Sequence, residues 1–161
     1  MTLDVKDRIA QRCAVAVALL ITLAPTPSQA WGSANTLVVK NDPGGSVRKR
    51  FRQIRKLIAN DTKIEIRDGY CFSACTMYIG LPNTCVGADA NFGFHGPYRF
   101  TERWSKDQFD DWSRFIANYY PAPIRKWYME KGRDKAFGYY KISGNELIRL
   151  GVKKCDPSED L

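Results

Sequence analysis

The chain has 161 residues, of which 44% are hydrophobic, and a formal net charge of +8. This length is sufficient for one domain with a buried core and excludes two such domains. The positive charge favours anionic partners, such as acidic polymers or lipid headgroups, but it carries no information about the fold.

Residues 1–30 have the pattern of a secretory signal peptide. A basic region comes first and contains Lys6, Arg8 and Arg12. The apolar segment 13–24 follows, and it is shorter than the roughly 20 residues needed to cross a bilayer. A small-x-small cleavage site ends at Ala30. We therefore predict export and a mature domain over residues 31–161. Export argues against nucleic acid as a partner.

The β-branched run Thr36–Lys40 predicts a buried strand, and the alternating run Thr62–Arg67 predicts a second strand. Between them, apolar residues at helical spacing predict an amphipathic helix over residues 46–59. Shorter extended segments are expected at Thr84–Val86 and Ala90–Phe94. This alternation of strands and helices favours an α/β fold with largely parallel strands.

The C-terminal part is predicted to be mainly helical. An aromatic stripe behind the candidate N-cap Ser105 predicts a helix over residues 105–119. Shorter helices are expected over residues 124–131 and 144–150, the last of them ended by Gly151. We interpret the many aromatic residues here as core or subunit contacts, with a substrate groove as the alternative.

The outward face of the predicted helix 46–59 is basic. It carries Arg48, Lys49, Arg50, Arg52, Arg55 and Lys56. Such a run is usually a solvated helix face, and a docking surface for anionic lipid or polymer is the alternative.

Four cysteines lie in the predicted mature chain: Cys71, Cys75, Cys85 and Cys155. An even number in an exported protein predicts two disulfides, for which three pairings exist. We prefer Cys85 with Cys155, because this bond would tie the C-terminal tail to the sheet and close a long loop. Cys71 would then pair with Cys75, four residues away on one face of a helix.

A zinc site is the alternative use of these cysteines. Cys71, Cys75, Cys85 and His95 form a chemically acceptable ligand set. Their spacing matches none of the usual close cysteine pairs, however, and export favours disulfides. We therefore predict neither a metal nor a cofactor.

Two stretches carry candidate catalytic residues, 69–79 (GYCFSACTMYI) and 92–97 (FGFHGP). Small and apolar residues after a tight turn predict a buried helix with Ser73 near its start. Unpaired amides at a helix N-terminus would stabilise the oxyanion that forms when Ser73 attacks a carbonyl. His95 is the only histidine of the chain and the natural base. The alternative is that Ser73 caps the helix.

The stretch 41–47 (NDPGGSV) places two glycines between a predicted strand and a predicted helix, where the backbone can approach another group closely with its amides exposed. The alternative is an ordinary tight turn. With 69–75 (GYCFSAC), 94–97 (FHGP) and 145–152 (NELIRLGV), this stretch forms an ordered set of four motifs. The set resembles the ClpP/crotonase superfamily, and most closely the small exported ClpP-like proteins of bacteria.

The resemblance spans about residues 37–152 and implies a single ClpP/crotonase-like domain with a serine peptidase site. It makes Ser73 the nucleophile and His95 the base, and it assigns the oxyanion hole to the amides of Gly45 and Ala74. A peptide or protein would be the substrate, no cofactor would be needed, and the location would be periplasmic or secreted. Oligomers are common in the superfamily, and the aromatic segment 109–128 would supply the interface.

The acidic member of the catalytic triad departs from the family pattern. Its position falls near Tyr139, and the nearby carboxylate of Asp134 does not match the spacing. We therefore expect a Ser-His dyad, or an orienting amide such as that of Asn145. The missing carboxylate also favours a second function, that of a catalytically inactive relative that binds a peptide or serves as a scaffold.

Overall fold

The computed structural model describes residues 35–98, 104–135 and 137–156. The predicted signal peptide, residues 1–30, lies outside these ranges. The described residues form a mixed α/β fold. Its elements are β1 (Thr36–Val38), α1 (Val47–Ala59), β2 (Lys63–Ile66), β3 (Tyr70–Phe72), the 3-10 helix η1 (Ser73–Gly80), β4 (Thr84–Val86), β5 (Asn91–Phe94), α2 (Lys106–Ala117), α3 (Ala122–Glu130), the 3-10 helix η2 (Gly132–Asp134), β6 (Tyr140–Ser143) and α4 (Gly144–Arg149).

The strands form two small sheets, with the orders β1-β2-β4 and β3-β5-β6. The first sheet is parallel throughout, and in the second β3 is parallel to β5 while β6 is antiparallel to it. The prediction of largely parallel strands is therefore confirmed. A bridge between Asp42 and Cys71 connects the segment after β1 to β3. This bridge brings the start of the glycine turn close to the strand that precedes Ser73.

Side-chain caps explain where the main helices begin. Ser46 accepts a hydrogen bond from the amide of Lys49 at the start of α1. Ser105 is the N-cap of α2, as predicted, and it forms a complete capping box with Gln108. The predicted boundaries of α1 and α2 agree with the structure within two residues.

Two predictions about the strands are wrong. The strand predicted as buried over Thr36–Lys40 ends at Val38 and lies at a sheet edge, where Val38 is 61% exposed. The buried helix predicted at Ser73 is confirmed, and it is a 3-10 helix, a type that the sequence did not distinguish because its six successive buried residues carry no periodicity. Two strands, β3 and β6, were missed because each is three or four residues long and depends on pairing with β5.

The first 3-10 helix occupies the centre of the core. Its residues 74–79 are all buried, and α1, α2, β3, β4 and β5 pack around it. Ile54 of α1, Phe92 and Phe94 of β5 and Ile116 of α2 belong to the same apolar cluster. Ser73, the first residue of this helix, therefore begins an element that is enclosed by the rest of the fold.

Two disulfides connect the cysteines in the preferred pairing. Cys71 of β3 is bonded to Cys75 of η1, so Cys71 lies on a strand and not on the helix that we expected. Cys85 of β4 is bonded to Cys155, which lies 70 residues further along the chain. Because Cys71, Cys75 and Cys85 are disulfide-bonded, they cannot serve as the thiolate ligands of the alternative zinc site. The two disulfides also indicate an oxidising, non-cytoplasmic compartment.

No helix among the described residues combines the length and apolar character that a membrane span requires.

Candidate active site

Ser73 stands at a sharp change of direction between β3 and η1. Its φ is +55°, a left-handed conformation that costs a residue with a side chain roughly 1–2 kcal/mol. The N-cap of η1 is Phe72, which makes no side-chain capping bond, so the capping alternative for Ser73 is wrong. Among the described residues the Ser73 hydroxyl has no hydrogen-bond partner. A strained serine on a strand-to-helix turn is a recognised arrangement for a nucleophile.

Hydrogen bonds from Thr76 of η1 and from Tyr120, which follows α2, support the conformation of Ser73. The hydroxyl of Thr76 donates a hydrogen bond of 2.7 Å to the carbonyl of Ser73. Because that hydroxyl has only one proton, the Tyr120 hydroxyl, 2.7 Å from it, must be the donor to Thr76. Burial raises the pKa of Tyr120 well above its usual range, so this donor stays protonated. The Cys71–Cys75 disulfide closes the same turn covalently.

The glycine turn packs directly on the serine turn. Gly44 and Gly45 both have φ of +97°, a conformation that favours glycine. A Cβ atom on Gly44 would lie 2.4 Å from the carbonyl oxygen of Phe72 and 2.8 Å from the amide nitrogen of Ala74. Only glycine therefore permits this approach of the two backbones.

Two backbone amides near this contact are available to a ligand. The Gly45 amide donates no hydrogen bond among the described residues, and the Ala74 amide belongs to the first turn of η1, whose amides have no partner within the helix. Helix α1 begins directly after the glycine turn and has no acidic residue in its first turn, so its positive N-terminal end is not neutralised there. The site can therefore stabilise a developing negative charge.

A partly buried ion pair holds the glycine turn in place. Asp42 accepts the amide of Gly44 at 2.7 Å through one carboxylate oxygen and pairs with Arg50 through the other. Arg50 also donates to the Gly44 carbonyl and to the Tyr78 hydroxyl of η1. Arg50 is only 7% exposed, so its prediction as part of the solvated basic face is wrong. The burial of Arg50 could have been predicted from its position, because Arg50 lies one helical turn before the buried Ile54 and therefore on the same face of α1.

His95 follows β5 and is half-buried. Its Nδ1 atom lies 2.6 Å from the carbonyl oxygen of Gly96. Because a carbonyl only accepts hydrogen bonds, Nδ1 carries the proton and Nε2 is left as the acceptor, which is the tautomer that a general base needs. Burial lowers the pKa of His95, and the bond to Gly96 offsets part of this effect. The imidazole is therefore neutral at pH 7. Tyr128 donates to the His95 carbonyl and positions the main chain.

Two aromatic rings lie beside the imidazole of His95. The rings of Tyr98 and Tyr139 each have centroids 5.3 Å from that of His95, and Tyr139 in turn stacks near Phe72. Among the described residues no carboxylate contacts His95. Asn145 is exposed at the start of α4 and is not the orienting group, because the Gly96 carbonyl already occupies Nδ1. A motif search misses this partner because it is a backbone atom.

One cavity of about 600 Å³ brings the predicted site residues together. Ser73, His95, Gly45 and Ala74 all line it. The rest of the wall includes four aromatic residues, Tyr98, Trp104, Trp112 and Tyr120. A cavity of this size is typical of ligand sites. The aromatic segment that we interpreted mainly as core or subunit contact thus also supplies the wall of a groove.

Within the described ranges, no cluster of His, Cys, Asp or Glu side chains has the arrangement of a metal site. Comparison with known proteins gives no match to a family model, to a curated protein or to a solved structure. These comparisons identify no family, and the resemblance to the ClpP/crotonase superfamily rests on the four sequence motifs alone.

Proposed function

We propose that this protein is an exported serine peptidase of the ClpP/crotonase type, with Ser73 as the nucleophile and His95 as the base. One observation carries the proposal: a serine with positive φ lies on a strand-to-helix turn in a cavity that also contains His95 and two unpaired amides. Each feature alone has an ordinary structural explanation. Their combination is what nucleophilic catalysis requires.

The first half of the proposed reaction forms an acyl-enzyme. Nε2 of His95 takes the proton of the Ser73 hydroxyl while the serine oxygen bonds to the peptide carbonyl carbon. The amides of Gly45 and Ala74 donate to the resulting oxyanion. The imidazolium then protonates the leaving amine, and the carbon–nitrogen bond breaks. In the second half, a water molecule gives its proton to His95 and attacks the ester, and Ser73 regains its proton.

Among the residues that the structure describes, no carboxylate partners His95, and this sets the turnover rate that we expect. The Gly96 carbonyl selects the tautomer of His95, but it lacks the full negative charge that would stabilise the imidazolium. An Asp-to-Asn change in the triad of a serine protease costs about 10⁴-fold in kcat because the histidine takes the wrong tautomer, so the loss expected here, with the correct tautomer, is smaller. We therefore expect slow turnover compared with that of an enzyme with a complete triad.

Labelling with a fluorophosphonate probe tests the proposal. The full chain is expressed in a host that exports it, recovered with both disulfides intact, and compared with Ser73→Ala, His95→Ala and the control Ser143→Ala. Ser143 caps α4 and lies outside the cavity, so its variant should label like the wild type. We expect no labelling of Ser73→Ala, labelling at least about 10²-fold slower for His95→Ala, and an adduct on Ser73 by mass spectrometry. The mass of the recovered protein also shows whether residues 1–30 are removed.

The second candidate function is that of a catalytically inactive binding or scaffold protein. The aromatic surroundings of His95, in place of a carboxylate, favour it. A folded, disulfide-intact sample that does not label at all would overturn the peptidase proposal and support this candidate.

A further inference from the structure

A row of cations begins inside the cavity and continues along α1. Arg48 lines the cavity, with its guanidinium 5.4 Å from the ring centre of Trp112. Arg52, Arg55 and Lys56 follow at spacings that place them on the same side of the helix. All four cations are exposed. At 1.5 Å per residue, the row is roughly 12 Å long.

The charge of this row is not compensated within the protein. Among the residues that the structure describes, none of the four cations forms an ion pair, and α1 itself contains no Asp or Glu. Exposed cations elsewhere do find partners, for example Lys106 with Asp110. The described lining of the cavity likewise contains no carboxylate. The described cavity lining and the row therefore carry cations and no carboxylate.

We infer that the substrate is an acidic polypeptide. An apolar or aromatic side chain beside the scissile bond occupies the aromatic cavity, and carboxylates of neighbouring residues bind Arg48 and the row on α1. An extended peptide advances about 3.3 Å per residue, so the row matches an acidic segment of about four residues. This inference rests on the proposed peptidase function and adds the class of substrate.

A peptide fits this surface better than a lipid bilayer does. The row starts at a cavity that contains the candidate nucleophile. An extended chain can enter the cavity and lie along the row at the same time, with a main-chain carbonyl at Ser73. A bilayer would instead contact a broad basic face without reaching the cavity, so vesicle binding serves as the competing outcome.

The first experiment compares three fluorescence-quenched peptides that share a central aromatic residue and differ in one flanking segment of four Glu, four Gln or four Lys. We expect the Glu peptide to have a kcat/KM at least about tenfold above that of the Gln peptide, because several weak exposed ion pairs combine. The effect should appear mainly in KM and should largely disappear in 1 M salt, where charges are screened within about 3 Å. Equal rates for the three peptides would overturn the inference.

Two matched triple variants show whether the preference for the Glu peptide depends on the cations of α1. The row variant is Arg52→Gln/Arg55→Gln/Lys56→Gln. The control variant, which removes the same charge from exposed sites on other elements, is Lys126→Gln/Lys141→Gln/Lys153→Gln. The row variant should lose the preference for the Glu peptide and the control should keep it. Equal loss in both would show that only net charge matters.

Binding separates this inference from the peptidase proposal. Fluorescence anisotropy of the same peptides on the Ser73→Ala protein measures the charge preference without turnover. Preferential binding of the Glu peptide with no labelling of the wild type would overturn the peptidase proposal alone. Labelling without any charge preference would overturn the substrate class alone. Row-dependent binding to phosphatidylglycerol vesicles, without a peptide preference, would assign the row to membranes and also overturn the inference.

Discussion

The contact between the two turns can be tested with a pair of glycines. Gly44 and Gly151 have similar positive φ values, +97° and +95°, but different surroundings. A Cβ atom on Gly44 would lie 2.4 Å from the carbonyl oxygen of Phe72, whereas a Cβ atom on Gly151 would meet nothing within 4 Å. Gly44→Ala and Gly151→Ala therefore introduce the same backbone strain, and only Gly44→Ala introduces a clash.

The magnitudes follow from this difference. A left-handed alanine costs roughly 1–2 kcal/mol, which is the full expected loss of unfolding free energy for Gly151→Ala. The clash at Gly44 involves backbone atoms that cannot rotate away, and overpacking adds about 1–3 kcal/mol. If the turn shifts, the Gly45 amide no longer lies beside Ser73. Loss of one oxyanion donor would slow labelling by about 10²–10³-fold.

Urea denaturation of the oxidised proteins gives the free energies, and the rate constant of fluorophosphonate labelling gives the activity. Labelling is measured well below the unfolding temperature of each variant, so that loss of activity is not loss of fold. We expect Gly151→Ala to label at the wild-type rate. If both variants lose the same free energy and Gly44→Ala labels normally, the glycine turn does not support Ser73 and the assignment of the oxyanion hole is wrong.

Two further predictions concern the base and the disulfides. The labelling rate should rise with pH to a plateau through a midpoint below 6.5, because only neutral His95 accepts a proton and burial lowers its pKa from that value. A midpoint at or above 6.5 would contradict this assignment of the base. Replacing Cys85 and Cys155 by alanine should lower the free energy of unfolding by about 4 kcal/mol, and replacing Cys71 and Cys75 by about 2 kcal/mol, because the first bond closes a much longer loop. Labelling should show the reverse order, since the shorter bond closes the Ser73 turn, and equal rates for the two variants would show that this bond does not position the nucleophile.

Several features of the candidate site could be predicted because their signals are local. A glycine pair before a helix, a serine after a turn and a unique histidine are visible in short stretches of sequence. The groups that support them could not be predicted in this way. Arg50 contacts Tyr78 over a separation of 28 residues, and Thr76 contacts Tyr120 over 44 residues. Nothing in either local sequence specifies such a partner.

The sequence alone determined the long helices, their caps and the even set of cysteines, because periodicity, N-cap chemistry and composition act within a few residues. Tertiary structure decided the rest. Strands β3 and β6 exist because β5 pairs with both of them, and the helix at Ser73 packs as a 3-10 helix inside a core that surrounds it. The protonation state and surroundings of His95 depend on Gly96, Tyr98 and Tyr139. The physical reason is that burial and the pairing of polar groups depend on residues brought together by folding, which no local propensity encodes.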